Sequence, residues 1–230
     1  MSEAAPRIPR GAALRVVGDV HGDARAFALA VQTDRFVVQL GDLADGGEDS
    51  AGVLRTALDL LEGGRGLFLL GNHDHKLARL LSGREVRTDA ALRATVAQLD
   101  AELRLRVLAA ITRAPAWLRR GPAFFVHGGF HTAMLHHAPP PFGGKVEGPL
   151  ARALFGQTTG QRRPDGFPER VLGWVDRIPA GLTVYCGHDN RSPDGRPWTV
   201  RGTAGGTAVF LDTGAGKGGH LSWIDLPGEG

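Results

Sequence analysis

Short apolar runs alternate with amphipathic segments in the first third of the chain. Three mostly apolar runs lie at 14–17, 36–40 and 67–70, interrupted by Arg15 and Gln39, and each run ends at a glycine followed by polar residues. Apolar runs of this length that stop at a turn signal predict buried strands. The segments between them, 23–31 and 48–61, are predicted to be helices, and the second places its apolar residues at helical spacing. Alternating strands and helices predict a parallel sheet with helical crossovers.

The apolar pattern in the remaining two thirds of the sequence predicts a long helix and further strands. Apolar residues recur every three or four positions through 88–111, which predicts one amphipathic helix with Thr88 as its cap. Residues 123–126 form another apolar run. The segment 128–168 is rich in glycine and proline and too long for a structureless connector, so it is either an insertion that faces the substrate or a tolerated surface loop. Later runs predict strands of a second, largely antiparallel sheet, at 182–185, 198–201, 207–211 and 221–226.

Composition narrows the class of protein. Apolar residues make up 42% of the 230 residues and charged residues 22%, which is typical of a chain that folds around a core. We expect a single domain over 12–230, preceded by a flexible lead-in at 1–11. The formal net charge of +3 comes from arginines spread along the chain. It favours anionic substrates only weakly and does not indicate a stable nucleic-acid complex.

The cysteine content and the hydropathy of the sequence help to predict the cellular compartment of the protein. The single cysteine, Cys186, excludes an internal disulfide. No stretch of the sequence has the apolar length of a membrane span or the layout of a secretion signal. We therefore expect a cytoplasmic protein without a membrane partner. The sequence does not indicate an oligomeric state.

Glycine stands beside acidic, histidine or asparagine residues at five predicted strand ends. The clusters are Gly18-Asp19-Val20-His21-Gly22, Gly41-Asp42-Leu43-Ala44-Asp45, Gly71-Asn72-His73-Asp74, Val126-His127-Gly128-Gly129 and Gly187-His188-Asp189. One such cluster is an ordinary turn, but parallel strands bring their carboxyl ends to one edge of a sheet. Five clusters therefore indicate a metal site. Mixed imidazole and carboxylate donors favour Mn, with Fe, Zn or Ni as alternatives, over Mg or Ca.

In this order, the clusters resemble the calcineurin-like metallophosphoesterases. The branch that they resemble includes bacterial Ser/Thr protein phosphatases and symmetrical diadenosine tetraphosphatases. The resemblance spans nearly the whole chain and continues in Asp212-Thr213-Gly214 and Gly218-Gly219. Residues 49–77 and 160–170, the latter with Asp165-Gly166-Phe167-Pro168, are also similar to the phosphatase module of bacterial polynucleotide kinase-phosphatases. The resemblance implies an α/β fold, a sandwich of two mixed β-sheets flanked by helices.

The resemblance also implies a role for each residue of a two-metal site. His73 would be the general acid that protonates the leaving oxygen, and Asp45 would orient its imidazole; an extra metal ligand or a helix-start residue is the alternative for His73. Asp212 would hydrogen-bond to a ligand histidine. One ion would be held by Asp19, His21 and Asp42, and the second by Asp42, Asn72, His127 and His188.

Two departures from the family pattern concern substrate binding. After Asp45 the family usually has an arginine that clamps the substrate phosphate, whereas this chain continues with Gly46-Gly47. Arg170, which matches an arginine of small bacterial relatives, is the first candidate replacement, and Arg79 and Arg191, which lie close in sequence to the site clusters, are alternatives. Asp189-Asn190 stands where relatives commonly have Thr-Pro.

These features predict a two-metal-dependent phosphomonoesterase similar to Ser/Thr phosphoprotein phosphatases. A water that bridges the metals would attack the phosphorylated substrate, a phosphoprotein or a nucleotide, directly. A symmetrical diadenosine tetraphosphate hydrolase and a polynucleotide end phosphatase are alternatives. A metal-binding scaffold without catalysis is a third alternative, motivated by the missing arginine.

Overall fold

Two mixed β-sheets lie at the centre of the computed structural model, which describes residues 7–164 and 166–228. Residues 1–6 of the predicted lead-in and Asp165 of the 160–170 segment lie outside the described residues. In chain order the elements are β1 (Leu14–Val17), α1 (Ala24–Ala30), β2 (Phe36–Gln39), α2 (Ser50–Glu62), β3 (Gly66–Phe68), α3 (Asn72–Leu81), α4 (Ala90–Ala97), α5 (Ala101–Arg113), β4 (Trp117–Arg120), β5 (Ala123–Val126), α6 (Gly148–Phe155), β6 (Gln157–Arg162), β7 (Pro168–Val171), β8 (Thr183–Cys186), β9 (Trp198–Arg201), β10 (Thr207–Phe210) and β11 (Trp223–Leu226).

The first sheet has the strand order β11-β1-β2-β3. β1, β2 and β3 are parallel, and α1 and α2 connect them along the chain, which confirms the predicted alternation of strands and helices. β11 pairs antiparallel with β1, so that Leu14 faces Leu226. The sheet therefore joins strands from distant parts of the sequence.

The second sheet has the strand order β4-β5-β8-β10-β9. The prediction that it is largely antiparallel is wrong, because its three central strands β5, β8 and β10 are parallel and only the outer strands are antiparallel. The predicted strand at 221–226 is also misplaced, since β11 belongs to the first sheet. An apolar run predicts that a strand is buried, but it does not identify the neighbouring strand. These strands were therefore predicted correctly, and the errors concern only which strands pair and in which direction.

The single helix predicted over 88–111 is two helices. α4 begins after Asp89 rather than Thr88, because the Asp89 carboxylate accepts a hydrogen bond from the Leu92 N–H. The chain breaks after α4, and Asp100 caps α5 by accepting from the Leu103 N–H. The buried apolar residues of both helices belong to one hydrophobic core. Their spacing of three or four residues continues across the break, which is why the sequence pattern predicted one helix. In the described part of the chain, no helix is long and apolar enough to cross a membrane.

Two apolar layers hold the sheets and helices together. One layer lies between the sheets, where Val16 and Val38 of the first pack with Phe125 and Val209 of the second. The other lies between the sheets and the helices and includes Phe27 of α1. Complete burial of a side chain of this size stabilises the fold by about 1.5–3 kcal/mol. The strand ends, and the loops that leave them, are thus fixed by packing.

Candidate metal centre

The loops that follow five strands meet at one end of the two sheets. The loop after β1 contacts the loop after β8, because the backbone N–H of His188 donates to Asp19 Oδ1 at 3.0 Å. The start of α3 contacts the end of β5, where His127 Nε2 lies 3.0 Å from Asn72 Oδ1. The predicted metal ligands and the predicted acid pair are all carried by these segments: Asp19, His21, Asp42, Asp45, Asn72, His73, His127 and His188.

Four residues of this cluster have a left-handed backbone. The φ angle is 47° at His21, 57° at Asp42, 68° at Asp45 and 64° at His188, and among the described residues no other non-glycine residue has a positive φ. Such a conformation costs roughly 1–3 kcal/mol and persists only where the surroundings fix it. The backbone strain of the protein is therefore concentrated where the candidate ligands converge.

His21 presents one ring nitrogen to two buried carboxylates. Its Nδ1 lies 2.8 Å from the Asp45 carbonyl oxygen and 3.2 Å from that of Ala44, so Nδ1 carries the hydrogen and donates. Its Nε2 lies 3.6 Å from Asp19 Oδ2 and 3.7 Å from Asp42 Oδ2. Asp19 and Asp42 are each 2% exposed. Nε2 and both carboxylates thus face one small volume.

A second group of ligands shares Asp42 with the first. His127 donates from Nδ1 to the Leu40 carbonyl oxygen at 2.9 Å, and its Nε2 lies 3.4 Å from Asp42 Oδ2. The ring of His188 lies 4.9 Å from that of His127, measured between centroids. Among the described residues, nothing hydrogen-bonds to the buried Nε2 of His188. Because buried polar atoms normally have a partner, this nitrogen fits a metal ligand.

The carboxylates and imidazoles determine the charge of the cluster. Burial raises the pKa of Asp42, but the charges of His127 and His73 hold this pKa well below its usual range. Burial lowers the pKa of His127, whereas the charges of Asp42 and Asp19 raise it to about 9. Burial and the charge of His127 hold the pKa of His188 well below its usual range. The acidic residues therefore attract positive charge, while His188 is neutral and has a lone pair to share.

His73 stands at the opening of the cluster. Its Nδ1 lies 3.0 Å from Asp45 Oδ2, and its backbone N–H donates to Asp42 Oδ1 at 2.9 Å. The side chain of His73 is 26% exposed, whereas that of Asp45 is fully buried. His73 can therefore reach a molecule in solution through Nε2 while a buried carboxylate holds its other ring nitrogen.

Asp74 braces the loops, a role that the sequence analysis did not assign. It is fully buried, and its carboxylate accepts hydrogen bonds from the N–H groups of Asp42 at 2.7 Å, Leu43 at 3.0 Å and Gly71 at 3.1 Å. Burial and the charge of Asp42 raise the pKa of Asp74 to about 6. In the sequence, the signal for this role is the position of Asp74 within the Gly71-Asn72-His73-Asp74 cluster.

The remaining residues predicted for the site lie around its margin. Arg170 Nη1 is 3.8 Å from Asp189 Oδ1, which places the guanidinium beside His188. Asp212 Oδ1 accepts from the Gly214 N–H at 3.0 Å, whereas the resemblance implied a bond to a ligand histidine. Lys217, which the sequence analysis did not single out, places its Nζ 2.7 Å from His21 Nε2.

A groove of about 500 Å³ opens next to this margin, between α6 and the hairpin of β6 and β7. The segment 128–168 thus contains local structure. Arg152, Arg162, Arg170 and Phe155 line the groove, and the lining contains no carboxylate among the described residues. Phe155 is 42% exposed. The groove therefore offers positive charge and an aromatic surface at the edge of the ligand cluster.

Comparisons with known proteins agree with this architecture. A family model described as calcineurin-like phosphoesterase matches residues 14–189. The asymmetrical bis(5'-nucleosyl)-tetraphosphatase PrpE of Anoxybacillus flavithermus is 26% identical, over 92% of this chain and 89% of its own length. The protein of that name from Halalkalibacterium halodurans is 27% identical with the same coverage. A serine/threonine phosphatase structure from Saccharomyces cerevisiae has a TM-score of 0.61 at 12% identity, over 96% of this chain and 81% of that one, a likeness of fold alone.

Proposed function

We propose that this chain, which belongs to the calcineurin-like phosphoesterase family, hydrolyses nucleoside polyphosphates at a centre that holds two divalent metal ions. The observation that carries the proposal is the convergence of buried ligands on Asp42. Asp42 Oδ2 is 3.7 Å from His21 Nε2 and 3.4 Å from His127 Nε2. One carboxylate between two imidazoles is the arrangement expected of a group that bridges two ions.

The donor set fits two transition-metal ions. Asp19, His21 and Asp42 would hold the first, and the second would be held by Asp42, Asn72, His127 and His188. The unpartnered, buried Nε2 of His188 supports this assignment, since a metal ion would satisfy it. Mixed imidazole and carboxylate donors favour Mn, with Fe, Zn or Ni as alternatives.

Two such ions, when bound, generate a nucleophilic water near neutral pH and neutralise charge on the phosphoryl oxygens. The chain's own residues supply orientation and proton transfer. His73 Nε2 would donate the proton that the leaving oxygen needs, because the Nδ1 side is held by Asp45 at 3.0 Å. Asp74 would hold the Asp42 loop in place through its three accepted hydrogen bonds. Arg170, beside His188, would bind a substrate phosphate.

The groove favours a nucleotide substrate. A dinucleoside polyphosphate carries a chain of negative charges and a second base beyond the phosphate that is attacked. Three arginines and an exposed phenylalanine next to the centre match those two requirements, because guanidinium groups pair with phosphates and aromatic rings stack on bases. The relatives named as bis(5'-nucleosyl)-tetraphosphatases support the same substrate class.

Product analysis tests the proposal. Manganese-loaded protein should hydrolyse diadenosine tetraphosphate with a higher kcat/KM than p-nitrophenyl phosphate or a phosphoserine peptide. Asymmetrical cleavage yields ATP and AMP, and symmetrical cleavage yields two molecules of ADP, so chromatography of the products also identifies the bond that is cut. Turnover of the phosphopeptide far above that of the dinucleotide would reject the substrate class but keep a phosphoesterase.

Phosphomonoesterase activity on phosphoproteins or polynucleotide ends is the second candidate function. The 26% exposed side chain of His73 favours it, since an acid at an open site can serve a bulky substrate. The comparison of three substrates separates the two candidates directly.

A further inference from the structure

Lys217 brings a positive charge to the metal centre from a loop between β10 and β11. Its Nζ lies 2.7 Å from His21 Nε2, the nitrogen that faces Asp19 and Asp42. The residue is otherwise exposed to solvent. Arg170 and Arg191, the arginines beside Asp189, both pair with that carboxylate. The ammonium of Lys217 instead contacts an imidazole, and no carboxylate of the described residues forms a salt bridge with it, although its charge acts to lower the pKa of Asp212.

The loop of Lys217 fills the space beside Gly46. A Cβ at Gly46 would lie 3.2 Å from the Cβ of His21 and 3.4 Å from the Gly216 carbonyl oxygen. Gly216 itself has a φ of 66° and packs against the backbone of His21. Gly46 also has a φ of 148°, a backbone conformation that residues with a Cβ rarely adopt, so a side chain at this position would be strained. The loop that carries Lys217 therefore lies within van der Waals distance of the position that a Cβ at residue 46 would occupy.

The lysine and a metal ion compete for the same place beside His21. His21 Nδ1 faces carbonyl oxygens, so Nε2 is the ring nitrogen that an ion would bind, and the ammonium now lies 2.7 Å from it. Once an ion occupies Nε2, the ammonium must move away from it. Gly216 and Gly218 flank Lys217 and permit this movement. In the proposed reaction, the anionic phosphate group of the substrate would bind beside the metal ions, close to the space that the ammonium leaves.

We propose that Lys217 binds the phosphate group of the substrate, in the role of the arginine that is missing after Asp45. This inference rests on the proposed function, because it requires a phosphate at the metal centre. Lys217 would act as a point charge at the His21 side of the centre, while Arg170 lies at the His188 side. The two cations would thus hold a phosphate chain at both ends of the ligand cluster.

The test compares Lys217→Met and Lys217→Arg with a control variant, Lys145→Met. Lys145 has a side chain that is 82% exposed and pairs with Glu147, so its removal should change neither binding nor catalysis. Titration calorimetry would measure Mn²⁺ binding to the metal-free proteins, and then inorganic phosphate binding to the Mn²⁺-loaded proteins. KM and kcat for diadenosine tetraphosphate would be measured in parallel.

We expect Lys217→Met to bind Mn²⁺ at least as tightly as the wild type, because the competing ammonium is gone. Its dissociation constant for phosphate and its KM should rise about 10- to 100-fold, as for the loss of a charged hydrogen bond, with a smaller change in kcat. Lys217→Arg should restore most of the phosphate affinity.

Two outcomes would overturn the inference. Tighter Mn²⁺ binding with unchanged phosphate affinity would mean that Lys217 only occupies the place of an ion. Loss of Mn²⁺ binding would mean that it supports the metal site itself. If the wild type binds neither Mn²⁺ nor phosphate and hydrolyses no substrate, the proposed function fails, which is a different result from either.

Discussion

At the metal centre, Asp19 and Asp42 are 2% exposed and His127 is fully buried, whereas in the neighbouring groove Phe155 is 42% exposed and most of β6 faces solvent. Hydrogen bonds and packing hold the candidate ligands of the centre, and His21, Asp42 and His188 are held in a left-handed backbone conformation. Two arginines of the groove, Arg162 and Arg170, stand on a two-stranded hairpin outside both main sheets, and the third, Arg152, stands on α6. Under the proposed function, the reaction would depend on buried residues that packing holds in place, while substrate choice would depend on a surface that substitutions can alter without disturbing them.

Of the substitutions considered, Asp42→Asn should reduce the activity of the buried metal centre most. The amide removes the charge that attracts both ions, so we expect kcat/KM to fall by more than about 10³-fold, the equivalent of several kcal/mol of metal assistance. Metal analysis should find fewer than two ions per chain. Asp34→Asn, at an exposed carboxylate, is the matched control. A variant with two bound ions and near wild-type rates would contradict the bridging role.

His73→Ala separates proton transfer from metal binding. The loss of a general acid should lower kcat by about 10²–10⁴-fold, with the metal content unchanged. The loss should be smaller for p-nitrophenyl phosphate, whose leaving group needs no proton, than for a poor leaving group. His136→Ala, which changes an exposed histidine, controls for surface effects. An equal rate in His73→Ala and the wild type would support a scaffold or another mechanism.

Asp74→Asn tests whether hydrogen bonding holds the buried loops. An amide cannot accept all three N–H groups that now donate to Asp74, so one donor would be left unsatisfied. We expect the free energy of unfolding to fall by about 1–3 kcal/mol, measured by urea denaturation of metal-free protein. An unchanged midpoint would mean that the loops are held by packing alone.

Arg162→Ala should have the smallest effect and should act on one substrate class only. Arg162 is exposed and its Nη1 already donates to the Gly166 carbonyl oxygen at 2.7 Å, so its loss should raise KM for diadenosine tetraphosphate only about two- to fivefold. KM for p-nitrophenyl phosphate should not change. Arg93→Ala on α4, another exposed arginine, is the control. An equal effect on KM for both substrates would mean that the groove does not select the substrate separately from the metal centre.

The sequence was most informative for the buried region. Glycine next to Asp19, Asp42 and His188 at strand ends predicted the cluster, because parallel topology leaves few places for such residues to go. The partner of β11 was not predictable because an apolar run does not identify the strand with which it pairs. The break before Asp100 was not predictable because the apolar spacing continues across it. Lys217 was missed because the path of its glycine-rich loop depends on contacts with His21 and Gly46, which lie far away in the sequence.

The antiparallel pair of β1 and β11 has a consequence for biosynthesis. β11 follows the other strands along the chain, so one edge of β1 is without its neighbour until the ribosome has released that segment. Unpaired strand edges template association with other chains. We therefore expect nascent or C-terminally truncated forms to depend on chaperones and to accumulate in inclusion bodies.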